Sequence, residues 1–165
     1  MPETTSFAVH VIREFNAPID RVWRAWTNPD DLRAWWGPTG FECTNATAEI
    51  RPGGRIFTTM KAPAEYGGFE QHSTWNLTEL DEPRLIRYVF NFADAEGNRI
   101  EPAEAGIPDG VPADGEHEVV LSELPNGRTR LAMSESGYGT PEVRDLSRVG
   151  LEQCLDKMAA LVEQE

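Results

Sequence analysis

The chain has 165 residues, 39% of them hydrophobic and 26% charged, enough for one domain with a sizeable core. Against 28 Asp and Glu stand 15 Lys and Arg, and the formal net charge of −13 disfavours nucleic acid and anionic membrane surfaces as partners. The longest apolar run, Met158 to Val162, falls far short of the ~20 residues that a membrane-spanning helix needs.

The N-terminal Met1-Pro2-Glu3-Thr4-Thr5 has neither the basic nor the apolar region of a secretory signal. With only two cysteines, Cys43 and Cys154, a reduced cytoplasmic location is expected. Ser6 to Phe15 alternates, with Phe7, Val9, Val11 and Phe15 on one side and Ala8, His10, Ile12 and Glu14 on the other. Both sides are partly apolar, which predicts a strand covered on both faces or at a sheet centre. Asn16-Ala17-Pro18 breaks it, and Val22, Trp23, Ala25 and Trp26 follow at helical spacing, with Pro18 in the first turn. Asn28 then has the character of an N-cap, with Pro29 at the first helical position and Asp30 and Asp31 complementing the dipole. This second short helix carries Leu32, Trp35 and Trp36 and ends at Gly37-Pro38.

From there to about residue 137 the chain reads as antiparallel strands. Phe41 to Arg51 turns at Pro52-Gly53-Gly54 into Arg55 to Ala62. After Gly67-Gly68 comes Phe69 to Leu80, which turns at Asp81-Glu82-Pro83 into Arg84 to Phe92. His117 to Leu124 and Thr129 to Ser136 form a hairpin across Pro125-Asn126-Gly127. Between the last two pairs, residues 94–115 hold six acids, three prolines and four glycines, and read as an acidic surface insertion. A helix from about Pro141 to Val162, capped by Thr140, closes the chain. Val143, Leu146, Ser147, Gly150, Cys154, Met158 and Leu161 lie near one stripe of it, with Leu151, Leu155 and Val162 alongside. At ~1.5 Å per residue this helix spans roughly 30 Å, enough to cross a whole sheet. It is the only element able to cover an apolar sheet face, and a twisted sheet around a long helix leaves a gap.

Alternation assigns side chains to that gap. Ile86, Tyr88, Phe90 and Phe92 share a face, as do Phe69, Gln71, Ser73, Trp75 and Leu77. His117, Val119 and Leu121 share one face of the last hairpin, and Leu131, Met133 and Glu135 share another. The expected lining is Trp35, Trp36, Met60, Gln71, Ser73, Trp75, Tyr88, Phe90, Phe92, His117, Val119, Met133, Glu135, Leu151, Leu155 and Met158. His117 and Glu135 are the candidates for acid–base work if they converge. Against this stands a structural role, with His117 at a strand end near solvent and Glu135 paired to an arginine. His10, His72 and His117 are scattered, no phosphate loop or nucleophile elbow occurs, and neither a metal nor a cofactor is expected.

A family resemblance rests on particular residues. Ala17-Pro18, Val22-Trp23, Ala25, Trp26-Thr27, Pro29, Leu32 and Trp35-Trp36-Gly37-Pro38 come first. Arg51-Pro52-Gly53-Gly54-Arg55, Gly68, Pro83-Arg84-Leu85, Thr129-Arg130-Leu131, Ser136-Gly137-Tyr138 and the closing helix from Gly150-Leu151 to Met158 continue it. Over residues 7–163 this set resembles the homologues of the activator of heat-shock protein 90 ATPase, in the START-like (SRPBCC, Bet v-like) superfamily. The resemblance implies an α+β helix-grip fold, a single domain over 1–165 in which a seven-stranded antiparallel sheet grips the long helix around a hydrophobic cavity. The expected function is non-catalytic binding of a small hydrophobic ligand such as a lipid, polyketide or aromatic. A cyclase- or hydrolase-type enzyme in the same cavity is the second reading, and a stress-linked co-chaperone the third. On the third reading alone a chaperone is a further expected partner, and monomer and homodimer both stay open. The co-chaperone reading ranks lower because the eukaryotic activators carry a separate N-terminal domain, whereas this chain opens on its first strand.

Overall fold

In a computed structural model, residues 6–164 are described; the segment Met1–Thr5, on which the reading of no secretory signal rests, lies outside them. The elements are β1 (Phe7–Phe15), α1 (Ile19–Thr27), α2 (Pro29–Trp35), β2 (Glu42–Ala48), β3 (Arg55–Lys61), β4 (Glu70–Asp81), β5 (Leu85–Ala93), β6 (Gly115–Leu124), β7 (Arg128–Tyr138) and α3 (Pro141–Val162). The strands form one antiparallel sheet in the order β1-β7-β6-β5-β4-β3-β2, with α3 lying across its concave face. This is the α+β helix-grip fold.

Local chemistry explains most boundaries. Pro18 sits at the N-cap of α1, one position earlier than expected, in extended conformation. The Asn28 carboxamide accepts from the Asp30 and Asp31 amides, and Pro29 follows at N1. Arg21 reaches from α1 to Asp31 of α2 at 2.8 Å, pinning the two short helices together. The Thr140 hydroxyl accepts from the Val143 amide and starts α3. Gly54 has no room for a side chain, since a Cβ there would sit 2.2 Å from the Glu49 carbonyl oxygen, so the β2–β3 turn requires glycine. The β6–β7 hairpin turns on Asn126 and Gly127, both at positive φ.

Two expectations are corrected. β1 lies at the edge of the sheet, next to β7, and its outward-facing side chains meet solvent, with Ile12 71% exposed. Only its inner residues Val9, Val11 and Phe15 enter the core. On α3, Leu146 is exposed, and the buried stripe runs through Val143, Leu151, Cys154, Leu155, Met158 and Val162.

The core is dense at one end. Trp26 and Trp35 meet edge to face with centroids 4.8 Å apart, Trp75 lies 6.1 Å from Trp26, and Trp75 stacks on Tyr88. The Trp35 indole donates to the Ala25 carbonyl at 2.6 Å, which fixes the ring inside. Residues 94–114 connect β5 to β6 and are hydrogen-bonded onto the domain. Asp114 accepts from both Arg99 and Asn91, the Asn91 amide also donates to the Ala113 carbonyl, and Gly139 donates to the Gly110 carbonyl. The insertion thus wraps from the outer side of β5, where Asn91 points, to the start of α3.

Candidate functional site

Between α3 and the sheet lies a partly open hollow of about 250 Å³. Its sheet wall comes from Met60 on β3, Gln71 on β4, Phe90 and Phe92 on β5, Gly115 and His117 on β6, and Glu135 and Tyr138 on β7. α3 supplies Ser147, Gly150, Leu151 and Cys154. Trp36, Pro38 and Phe41, from the segment between α2 and β2, close one end; Val111 and Pro112 of the acidic insertion close the other.

The polar side of the hollow follows from strand register. Leu77, Tyr88, His117, Glu135 and Val9 are successive cross-strand partners, so their side chains stand in one row on the concave face. Glu135 is buried, and its Oε1 accepts from the Tyr138 hydroxyl at 2.9 Å. Its Oε2 lies 3.7 Å from His117 Nδ1, too far for a hydrogen bond. His117 Nδ1 is buried and has no hydrogen-bond partner among the described residues. The imidazole stacks on Phe90 at 5.2 Å and meets Tyr88 edge-on.

Burial lowers the His117 pKa below the usual imidazole value, against the opposing pull of the Glu135 carboxylate. Burial, reinforced by the Glu135 charge, pushes the Tyr138 phenol well above its ordinary range, and Ser147 sits beside that hydroxyl. Burial pushes the Cys154 thiol up to about 12 and raises Cys43 as well, so neither is a thiolate near neutrality. Among the described residues, no group of three or more His, Cys, Asp or Glu side chains is placed to hold a metal ion.

Residues 16–163 match the family described as activator of Hsp90 ATPase homolog 1-like protein. The chain belongs to this family. Among solved structures, protein CV1439 from Chromobacterium violaceum is similar at 28% identity and a TM-score of 0.77, over 96% of this chain and 98% of that one. Protein Ms6760 from Mycobacterium smegmatis follows at 25% identity and a TM-score of 0.72, covering 96% and 91%. The AHSA1 protein of Silicibacter pomeroyi, 19% identical with a TM-score of 0.72 over 94% and 96%, shares the fold. No curated protein matches the sequence. No helix among the described residues is long and apolar enough to cross a membrane.

Within this family fold, the structure divides the sixteen residues expected at the cavity. Trp36, Met60, Gln71, Phe90, Phe92, His117, Glu135 and Leu151 line the hollow. Trp35, Trp75, Tyr88, Val119, Met133, Leu155 and Met158 pack in the core beneath or beside it and do not reach its wall. Ser73 is buried too, its hydroxyl taken up by Thr58 at 2.7 Å and by the Trp75 indole at 3.2 Å. Phe69, grouped by alternation with the inner face of β4, precedes that strand and is half exposed. The structural alternative for the acid–base pair is corrected: His117 is buried, and Glu135 contacts Tyr138 and His117 rather than an arginine. Of the wall residues not anticipated, Tyr138 carries the most chemistry. The glycine before it, Gly137, was the available signal, since glycine inside a strand marks a bulge.

Proposed function

We propose that the chain binds a small, largely apolar molecule in the hollow between the sheet and α3. The observation that carries this reading is the wall itself: aromatic and aliphatic on most sides, with buried polar groups gathered at Glu135, His117 and Tyr138. Leaving a buried polar atom such as His117 Nδ1 unpaired costs roughly 1–3 kcal/mol. A ligand supplying a partner would recover that cost, and the volume suits a compact molecule of one or two fused rings.

Thermal-shift screening of lipids, polyketides and aromatics tests the reading, since a ligand at a hundred times its Kd adds ~2.7 kcal/mol. Gly150→Phe is the control. A Cβ at Gly150 meets nothing within 4 Å, so the ring can enter the hollow and should abolish the shift. A variant that keeps the shift would place binding elsewhere and defeat the reading.

A catalytic use of the same hollow has one observation in its favour, the 3.7 Å approach of His117 to Glu135 on a single face. It predicts that a bound compound is recovered chemically altered from wild type and unaltered from Glu135→Gln, as mass spectrometry would show. Chaperone activation would involve the outer surface instead, and co-purification with the cell's own Hsp90 tests it separately.

A further inference from the structure

We propose that the molecule held in this hollow carries a hydrogen-bond-donating or cationic polar end, and that organic anions are selected against. The inference rests on the binding reading above and narrows it to a ligand class.

The argument is one of unmatched acceptors. Among the described residues, no Lys or Arg lines the hollow. The Glu135 carboxylate has one oxygen bonded to Tyr138, while the other faces His117 at a distance too long for a hydrogen bond. A neutral imidazole keeps one accepting nitrogen. Burial favours that neutral form here, so His117 does not serve as a standing counter-charge. The polar end of the hollow therefore offers a carboxylate and one imidazole nitrogen as acceptors without a permanent cation, while the donors beside them, the other imidazole nitrogen and the buried, unpaired Trp36 indole N–H, are uncharged. A hydroxyl, an amide N–H or an ammonium group satisfies them. A carboxylate or phosphate would meet a like charge in a desolvated site, a juxtaposition that interfaces avoid. The rest of the wall agrees, since Trp36, Phe41, Phe90 and Phe92 present ring surface that attracts both aromatic skeletons and cations.

The test is calorimetric titration of the full chain with four probes that share one skeleton and differ at the polar end. They are naphthylmethanol, naphthylmethylamine, naphthylmethyl methyl ether and naphthoate. The alcohol and the ammonium are expected to bind about tenfold or more tightly than the ether and the carboxylate, the scale of one lost charge-assisted hydrogen bond. Glu135→Gln is expected to erase the ammonium's advantage and reduce the carboxylate's disadvantage. Naphthoate binding as tightly as the alcohol in the wild type would overturn the ligand class while leaving the cavity reading intact. Binding by none of the four would remove both, as would undiminished binding by Gly150→Phe. The wild-type series decides the matter even if the Glu135 variant fails to fold.

Discussion

Glu135 and Tyr138 are three residues apart on β7, yet both point into the hollow, joined by a 2.9 Å hydrogen bond. In a regular strand, positions three apart face opposite sides. The register explains the exception. Phe7 pairs with Tyr138 and Val9 with Glu135, so two residues of β7 stand opposite the single Ala8 of β1. Gly137, at φ +99°, absorbs the extra residue, and the bulge turns Tyr138 inward. One inserted position thereby gives a buried carboxylate its donor.

Tyr138→Phe removes that donor while keeping the ring. Glu135 would then be buried without a direct hydrogen-bond donor, because His117 is too far away to replace it. The expected loss of stability is roughly 1–3 kcal/mol, the usual cost of leaving a buried polar group without its partner. Urea denaturation at pH 7 measures it, and an unchanged midpoint would show that the Tyr138 hydroxyl does not stabilise the buried carboxylate.

Gly137→Ala tests the bulge itself. The positive φ disfavours any side chain, and a Cβ would lie 3.2 Å from the Pro112 Cβ of the insertion. The expected cost is about 1–3 kcal/mol. Because the strain displaces both Tyr138 and Pro112, ligand affinity should fall together with stability. Calorimetric titration alongside denaturant melts would record both.

The fold was legible because its signals are local and repeated. The Asn28 and Thr140 caps, the Asn126-Gly127 turn and the alternation of Ile86, Tyr88, Phe90 and Phe92 each specify geometry within a few residues. The site was half legible. Alternation identifies the inner face but does not say how deep a residue sits along it. Trp75 and Tyr88 therefore counted as cavity wall, although they stack under the hollow. Tyr138 was hidden by the bulge, and Val111 and Pro112 by a loop whose path depends on contacts from Asn91 and Arg99 far away in sequence. The exposure of Ile12 comes from the outer face of the sheet facing solvent, where Val120 of the interior strand β6, in the same cross-strand row, is exposed as well, a property of the tertiary layering rather than of its own residues.

His117 gives the domain a pH dependence of known sign. Burial lowers its folded-state pKa, while Glu135 acts in the opposite direction without reversing the shift. The unfolded chain, with histidine near its ordinary ~6.5, then binds more protons as the pH falls. Stability should decline as pH drops below about 6.5 and continue to decline until the folded-state pKa is passed, with a slope of at most ~1.4 kcal/mol per pH unit. His117→Gln should lose this component. Urea midpoints between pH 7.5 and 5.5 in both proteins isolate it, and parallel curves would count against the assignment.

Gly150 offers a gain. It lies inside α3, where glycine is entropically unfavourable, and a Cβ there meets open space. Gly150→Ala should add about 0.5–1 kcal/mol, which raises Tm by roughly 1–4 °C in a protein of this size. Calorimetric melting reads this directly. A drop in Tm would mean that the hollow's α3 wall is already filled to contact at this position.

At its return to β6 the acidic insertion is anchored by the Asp114 carboxylate beside the bond from Asn91 to the Ala113 carbonyl. Asp114 accepts from Arg99 at 2.9 and 3.0 Å and from the buried Asn91 amide at 2.6 Å, and these contacts, led by Arg99, hold its carboxyl below the usual range. Because the group is largely exposed, its removal should cost less than ~1 kcal/mol of global stability. The local effect should be larger, because Val111 and Pro112 form the end of the hollow just before this anchor. In Asp114→Ala, amide hydrogen exchange over residues 108–114 should accelerate while the strands keep their protection, and the ligand's off-rate should rise. The same anchoring persists above the ordinary carboxylate pKa and is lost as pH falls through the lowered folded value, so mild acid should reproduce the variant's exchange pattern in the wild type. Asp109→Ala, at an exposed position of the same loop, is the comparison that should leave exchange unchanged. Equal acceleration in both variants would show that the loop is loosened by any change of charge rather than by loss of the Asp114 contacts.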